Sequence, residues 1–255
     1  MAANAALSRD KDPHQVHISL VGSEHMRVSW ITQDFDAPSL VEYGILLETT
    51  PSSATGESTS YSYFFYRSGD PGQTKWTKST LEHVKEMEHH VFLLPGDLSY
   101  ADRSQTLWDS FGQLVEPLAR SRAWMVTQGN HEIETIPILM KSAFRAYNAR
   151  WRMPYEQSGS GGLGRVDRVR TAVDNSVASH TMVQYEHLLI QGEGEAMRKD
   201  MEKILYAATV DMVFAGHVHA YERLVEWYRN KGDACGPVHI TVGDGGNREG
   251  LASKY

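Results

Sequence analysis

The sequence contains a single cysteine, Cys235, so no internal disulfide can stabilise the fold. It also lacks long apolar runs, since stretches such as Val91–Leu94 are far shorter than the roughly 20 residues that a membrane-spanning helix needs. The opening Met1–Asp10 is too short and too polar for a secretory signal. An excess of positive charge is missing as well, because 32 acidic residues outnumber 25 basic ones. We therefore expect neither a membrane nor a nucleic acid as a partner.

The remaining composition is that of a globular protein. Hydrophobic residues make up 41% of the chain and charged residues 22%, which argues against disorder along its whole length. The 255 residues are enough for one large domain or two ordinary ones. The order of the predicted elements must decide between these.

The first third of the chain has the alternating pattern of β-structure. Gln15–Val21 and Met26–Trp30 alternate on either side of a short turn, which predicts a hairpin. Further strands are predicted around Val41–Ile45 and Tyr61–Phe65, with a loop over the Ser- and Thr-rich Thr49–Ser60. Such a series of strands with one polar face is typical of part of a β-sandwich.

From about Asp70 the pattern changes to alternating strands and helices, which predicts an α/β domain. The predicted elements are helix Thr74–His89, strand Val91–Leu94, helix Leu107–Leu118, strand Ala123–Thr127, helix Met197–Ala208, strand Val210–Ala215 and strand Val238–Val242. Ligands of such domains bind at the carboxyl ends of the strands.

Metal-capable side chains follow glycines at four places in this second part. The four segments are Gly69–Gly72, Gly96–Asp102, Gly129–Glu132 and Gly216–Arg223. The steps of 27 residues from Asp70 to Asp97 and of 33 residues from Asp97 to Asn130 each suit one strand–helix–strand unit. A lone Gly-Asp is usually a turn, and a lone His-x-His usually lies on the surface. Four such segments in order favour a shared site.

The types of donor indicate two metal ions. Asp97 can bridge, because a carboxylate has two oxygens. His217 and His219 project to the same side of an extended chain, so each can reach a different ion. Tyr100 ionises at neutral pH only beside a strong Lewis acid, which favours Fe(III) at one position and Zn, Mn or Fe(II) at the other.

The motifs resemble those of the plant-type purple acid phosphatases, a branch of the binuclear metallophosphoesterases. Longer matching runs are Phe92–Asp102, Leu107–Ala119, Tyr147–Ser158, Gln191–Lys199 and Gly236–Ala252. The Gln15–Tyr66 region resembles the family's fibronectin-like domain. The resemblance implies an incomplete α/β (α+β) metallophosphoesterase-type catalytic domain at residues 69–255, preceded by a partial fibronectin-like β-sandwich at residues 1–68.

The resemblance also implies the roles of individual residues. The Fe(III) ligands would be Asp70, Asp97, Tyr100 and His219, and the ligands of the divalent ion would be Asp97, Asn130 and His217. His131 would be the catalytic residue over the substrate phosphate. The implied reaction is hydrolysis of a small phosphate monoester by metal-activated water. The family often dimerises, which makes a homodimer a candidate assembly, and it is mostly secreted or vacuolar, although no export signal is visible here.

The chain departs from the family pattern in several segments. The family's divalent site has a further histidine before a Pro-Trp-Tyr segment, and nothing in Val173–Ile190 matches it. Codons read one base out of register over Ala172–His187 can spell that segment, so we expect Ala172–Ile190 to be frame-shifted. Deletions are expected near Asp70 and Gly159–Leu163, with a truncation after Tyr255. The alternatives are a catalytically defective isoform or gene-model remnant with an incomplete metal site, and an enzyme that acts on phosphodiesters or nucleotides.

Overall fold

A computed structural model describes residues 12–21, 25–32, 34, 36–44, 52–58, 73–102, 104–133, 144–154, 182–185, 195–224, 227–229 and 231–252. These residues form β-strands and α-helices that we number in chain order. The strands are β1 (His14–Val21), β2 (His25–Ile31), β3 (Leu40–Tyr43), β4 (Ser52–Thr55), β5 (Val91–Pro95), β6 (Ala123–Thr127), β7 (Met182–Tyr185), β8 (Met212–Ala215), β9 (Tyr221–Leu224), β10 (Trp227–Tyr228), β11 (Lys231–Gly232) and β12 (Val238–Val242). The helices are α1 (Lys75–Glu86), α2 (Gln105–Ala119), α3 (Arg145–Arg150) and α4 (Glu195–Ala207).

Two four-stranded sheets position the candidate site. The first sheet has the order β2-β1-β6-β5, with β5 and β6 parallel, and the second has the order β7-β8-β12-β9, with β7, β8 and β12 parallel. Both contain the parallel strands that the α/β pattern predicts, and helix α2 connects β5 to β6. Strands β3 with β4 and β10 with β11 form separate two-stranded ribbons.

The main core lies between helix α2 and the first sheet. The apolar face of α2 is buried at helical spacing through Trp108, Phe111, Val115 and Leu118. Trp124 of β6 is fully buried, and its ring centre lies 4.6 Å from that of Phe92. Each large apolar side chain buried in this way contributes about 1.5–3 kcal/mol. The loops that follow β5 and β6 are therefore held by a well-packed pair of strands.

Most of the predicted helices and strands of the second part are confirmed. Helix α1 begins close to the predicted start because the Thr74 hydroxyl accepts the backbone N–H groups of Trp76 and Thr77, at 3.1 and 3.3 Å. The predicted loop over Thr49–Ser60 is wrong in part, because residues 52–55 form β4 and pair antiparallel with β3. Serine and threonine fit a strand when a partner supplies the hydrogen bonds, which local composition does not reveal.

Several predictions fall on residues outside the described ranges. They include the strand near Tyr61–Phe65, the boundary between residues 68 and 69, Asp70, the deletion near Gly159–Leu163 and most of the stretch predicted to be frame-shifted. Within that last stretch, residues 182–185 form β7, which pairs in parallel with β8. In the part of the chain that the structure describes, no helix combines the length and apolar character needed to cross a membrane.

The predicted N-terminal hairpin is confirmed, and it extends the first sheet. Strand β1 pairs antiparallel with β2 and parallel with β6, where Ile18 lies opposite Ala123. The face of β1 that carries His17 and Ser19 is the more buried one. The His17 ring centre lies 4.2 Å from that of Trp151. A partly polar strand face is thus part of the interior.

We predict that stability falls at acidic pH partly through His17. Burial lowers the pKa of His17, and the nearby Arg150 lowers it further, although backbone hydrogen bonds oppose the change. The folded state therefore binds fewer protons than the unfolded state, and stability is lost as pH falls below about 6.5, by up to about 1.4 kcal/mol per pH unit. The measurement is the melting temperature at about pH 7.5 and about pH 5, on either side of the ordinary histidine pKa.

The variants that test this are His17→Gln and His83→Gln. His17→Gln should show a smaller drop in melting temperature between the two pH values than the wild type. His83→Gln replaces an exposed histidine of α1 and should retain the wild-type drop. An unchanged drop in His17→Gln would contradict the assignment.

Candidate metal centre

The candidate site is built from four loops that follow strand ends. They are the β5 loop (residues 96–102), the β6 loop (residues 128–132), the β8 loop (residues 216–220) and the β12 loop (residues 243–252). The β5 and β6 loops begin side by side, because Pro95 at the end of β5 pairs with Thr127 at the end of β6. The β8 loop touches the end of β5 so closely that a Cβ on Gly216 would lie 2.0 Å from the Pro95 carbonyl oxygen. Only glycine permits this approach.

Left-handed backbone conformations concentrate in these loops. Asp97, Tyr100 and Asp102 have φ angles of 49°, 51° and 49°, and His217 has a φ of 67°. For a residue other than glycine this conformation costs roughly 1–2 kcal/mol. Such strain is retained where the surrounding structure enforces it, and it clusters at functional sites. All of these residues lie in the segments that the sequence singles out.

The first pair of predicted ligands is Tyr100 and His219. The Tyr100 hydroxyl is hydrogen-bonded to His219 Nε2 at 3.1 Å. Both side chains are largely shielded from solvent, with Tyr100 only 4% exposed. The structure therefore brings together two residues assigned to the same ion, although 119 positions separate them in the chain.

The second pair consists of Asn130 and His217. His217 Nδ1 lies 3.0 Å from Asn130 Oδ1, at the distance of a hydrogen bond. The extended conformation predicted for the His-x-His segment is wrong, because residues 216–220 lie outside any strand and His217 is left-handed. The imidazoles of His217 and His219 nevertheless contact different partners, one in each pair.

Asp97 connects the β5 loop to the β6 loop. Its Oδ1 accepts the backbone N–H of His131 at 2.9 Å, so this carboxylate lies beside the turn that also carries Asn130. A bridging role requires the Asp97 carboxylate to lie between the two pairs. Among the described residues it has no hydrogen bond to a member of either pair. Asp70, the remaining predicted ligand, lies outside the described residues.

The spacing within each pair fits two ligands of one metal ion. Bonds of about 2.1 Å that meet at the roughly 90° of an octahedral site place two ligand atoms about 3.0 Å apart. The observed separations are 3.1 Å and 3.0 Å. Among the described residues no three His, Cys, Asp or Glu side chains form a metal-binding group. The oxygen donor of each pair is instead a tyrosine or an asparagine, Tyr100 in the first pair and Asn130 in the second.

His131 is held in one orientation by contacts on two sides. Its Nδ1 donates to Asp102 Oδ1 at 2.7 Å, and its ring stacks on the Tyr100 ring with the centres 4.1 Å apart. Its Nε2 lies 3.5 Å from Glu249 Oε1. The other oxygen of Glu249 lies 3.8 Å from His219 Nε2. The Nε2 edge of the His131 ring thus faces the region where the first pair meets the β12 loop.

The carboxylate of Glu132 joins the β5 and β6 loops. It is fully buried, and it accepts the backbone N–H of Leu98 at 2.9 Å and that of Gly129 at 2.7 Å. Amide hydrogen bonds of this kind allow a charged group to be buried. Each loop is therefore fixed to a different oxygen of one side chain.

The environment of Tyr100 keeps its phenol protonated in the absence of a cation. Burial raises the pKa of Tyr100 well above its ordinary value, and Asp97, Glu249 and Glu132 raise it further, whereas Arg248 opposes the increase. The same carboxylates would stabilise a bound cation. A strong Lewis acid is needed to make the phenolate a ligand here.

A set of residues that support the site has no role in the sequence-based predictions. Asp102, Glu132, Arg248 and Glu249 all lie in segments that matched the family, yet none was given a function. The spacing of Gly129 and Glu132 is that of a capping box, in which a glutamate reaches back to an N–H three residues earlier. This spacing is a local sequence signal for the contact between Glu132 and the Gly129 amide. The contacts of Arg248 and Glu249 join distant parts of the chain and leave no local signal.

Two protein-family models match the chain. Residues 13–96 match the model described as the purple acid phosphatase N-terminal domain, and residues 68–221 match the calcineurin-like phosphoesterase model. Purple acid phosphatase 22 of Arabidopsis thaliana is 43% identical over 96% of this chain and 74% of its own length. Purple acid phosphatase 18 of the same plant is 43% identical over 95% of this chain and 73% of its own length.

The first of these alignments extends over 323 positions, more than the 255 residues of this chain. That relative therefore carries segments without a counterpart here, in agreement with the predicted internal deletions. A solved purple acid phosphatase from yellow lupin (Lupinus luteus) seeds has a similar fold, with a TM-score of 0.63 at 15% identity. The match covers 95% of this chain and 66% of the lupin chain.

We predict that Glu132→Ala destabilises the protein by about 2–4 kcal/mol, because it leaves two buried backbone N–H groups without this acceptor. Glu132→Gln should cost less, since one carbonyl oxygen remains. The measurement is urea unfolding of the purified chain.

Glu86→Ala is the control for this prediction. Glu86 is an exposed residue of α1, and its replacement should change the free energy of unfolding by less than about 0.5 kcal/mol. A change that small in Glu132→Ala would show that the two amide bonds do not stabilise the join between the loops.

Proposed function

Since the chain belongs to the purple acid phosphatases, phosphoric monoester hydrolases with a binuclear metal centre, we propose that the two donor pairs described above hold its two ions. The observation that carries the proposal is the meeting of Tyr100 with His219 and of Asn130 with His217. Each pair combines an oxygen donor with an imidazole, and the loops that supply them follow β5, β6 and β8.

The proposed ligands divide between the two ions. The first ion is bound by Asp70, Asp97, Tyr100 and His219, and the second by Asp97, Asn130 and His217. Asp97 shares the β5 loop with Tyr100, and its contact with the backbone of His131 supports a position close to Asn130. A carboxylate in this position has an oxygen available for each ion.

We propose Fe(III) for the first ion and Zn, Mn or Fe(II) for the second. The phenol oxygen of Tyr100, a donor that ionises at neutral pH only beside a strong Lewis acid, supports Fe(III) at the first position. When bound, the ions would supply Lewis-acid chemistry, activating water and neutralising charge on the phosphate. The remaining functions fall to side chains of the chain itself.

His131 is the proposed catalytic residue. With Nδ1 bonded to Asp102, the ring presents Nε2 to the substrate, where a protonated imidazole can donate a hydrogen bond to a phosphate oxygen or to the leaving oxygen. The Tyr100 ring stacked on His131 limits rotation of the imidazole. Such a donor lowers the barrier most when its direction is fixed before the substrate binds.

A catalytically defective remnant is the less favoured alternative, because close relatives align with about 95% of the chain and the described candidate ligands meet in pairs. Metal analysis of the purified full chain, together with turnover of an aryl phosphate, tests the proposal. Two equivalents of metal with monoester hydrolysis are the expected result. One equivalent or none, without turnover, would contradict it, and preferential hydrolysis of a diester would favour the phosphodiesterase alternative.

From the family resemblance we also propose that the protein forms a homodimer and that it is secreted or vacuolar. Neither affects the assignment of ligands, because every proposed ligand comes from this chain. Light scattering after size-exclusion chromatography measures the oligomeric state.

We predict that Asp97→Ala removes both ions, because this carboxylate is the proposed shared ligand. Elemental analysis should find less than about a tenth of the wild-type metal content, because even groups that only orient metal ligands are worth about 10–100-fold in metal affinity. Asp36→Ala, which replaces an exposed aspartate outside the four loops, is the control and should keep both ions. Retention of both ions by a folded Asp97→Ala protein would exclude the shared role.

We predict that Tyr100→Phe loses the visible absorption of the iron-bound phenolate, because phenylalanine has no oxygen to coordinate Fe(III). The aromatic ring remains to stack on His131, so the circular dichroism of the variant should stay close to that of the wild type. Tyr221→Phe, which alters an exposed tyrosine of β9, is the control and should keep the colour. An unchanged absorption band in Tyr100→Phe would exclude Tyr100 as the ligand.

A further inference from the structure

We propose that Arg248 is a positioning residue that acts on His131 through Asp102. The proposal rests on the proposed function, because it assigns Arg248 a part in the same reaction. Arg248 lies in the β12 loop, far along the chain from the β5 loop that it contacts. Its guanidinium cannot ligate a metal ion, and its described contacts are with residues of the β5 loop.

The guanidinium of Arg248 contacts the β5 loop at three points. Its Nη2 donates to Asp102 Oδ2 in an ion pair. Its Nη1 donates to the carbonyl oxygen of Tyr100 at 3.3 Å, and its central carbon lies 5.6 Å from the centre of the Tyr100 ring. The planar fork of arginine suits such simultaneous contacts, whereas lysine has a single ammonium.

The two oxygens of Asp102 serve different partners. Oδ2 accepts from Arg248, and Oδ1 accepts from His131 Nδ1 at 2.7 Å. The Asp102 side chain is 43% exposed, so packing alone does not fix it. Without Arg248 this carboxylate could sample other rotamers, and the imidazole would lose its fixed direction.

Because Arg248 contacts the residue that orients His131, we expect its loss to lower kcat rather than to weaken substrate binding. The donors described above point to Asp102 and to the backbone of Tyr100, while the neighbouring Glu249 faces the imidazoles of His131 and His219. Loss of Arg248 therefore disturbs the orientation of a catalytic group. Misplacement of such a group lowers kcat more than it raises KM.

The kinetic test compares R248A, R248K, D102N and the double variant R248A/D102N with the wild type, on an aryl phosphate. We expect R248A to lower kcat about tenfold, with KM changed less than about threefold. R248K should fall between R248A and the wild type. The double variant should be no slower than D102N alone, because effects that pass through one residue are not additive. R120A, which replaces an exposed arginine at the end of α2, is the control and should match the wild type.

Three kinetic results would overturn the proposal. Multiplicative losses in the double variant would mean that Arg248 does not act through Asp102. An increase in KM and in the inhibition constant of inorganic phosphate, at constant kcat, would mean direct binding of the anion. Wild-type kinetics in R248A would mean that Arg248 has no part in the reaction.

A second measurement does not depend on activity. The amide of Asp102 donates to the carbonyl oxygen of His131 at 3.2 Å, so its hydrogen exchange reports on the join between the β5 and β6 loops. Exchange of this amide should be at least about tenfold faster in R248A and unchanged in R120A. Equal exchange in R248A and the wild type would overturn the positioning role. If the wild type proves inactive, the proposed function fails while this measurement still decides whether Arg248 stabilises the β5 loop at Asp102.

Discussion

The buried carboxylate of Glu132 is the interaction on which the candidate centre depends. It accepts a hydrogen bond from one backbone amide of the β5 loop and from one of the β6 loop, and it is fully buried. Tyr100 lies two residues after the first amide donor, Leu98, and Asn130 directly follows the second, Gly129. A shift of either loop would leave a buried charge with one partner fewer, which costs several kcal/mol. One donor of each candidate pair therefore lies beside an anchored amide before any ligand binds.

The histidines that complete the pairs lie on the β8 loop, which is in close backbone contact with two other segments. A Cβ at Gly216 would meet the Pro95 carbonyl oxygen, and one at Gly243 would lie 1.8 Å from the Val218 carbonyl oxygen. The β8 loop is thus enclosed between the end of β5 and the start of the β12 loop. His217 adopts its left-handed conformation within this closely packed loop, where the surrounding structure can offset the strain.

Much of the centre could be predicted from the sequence because its candidate ligands lie in short segments after recognisable strands. The apolar run of β5, the helical spacing of α2 and the His-x-His segment are local signals. The strand β7 and the attachment of β1 to β6 depend on partners distant in the chain. Strand β4 pairs with the nearby β3, although its own residues show no alternating apolar pattern. His17 shows most clearly what the sequence pattern alone does not predict. An alternating pattern does not reveal that a histidine on the polar face is the buried residue, because burial there depends on Trp151.

The charges around Tyr100 set an order for binding. Asp97, Glu132 and Glu249 surround the phenol with negative charge, and Arg248 opposes them. The positive charge of Arg248 is already shared with Asp102. A phosphate ester approaching this arrangement alone would meet a net negative charge, because the three carboxylates outnumber the one guanidinium. On the proposed assignment, cations bound at the candidate ligands would neutralise this charge, so metal binding would precede the binding of an anionic substrate.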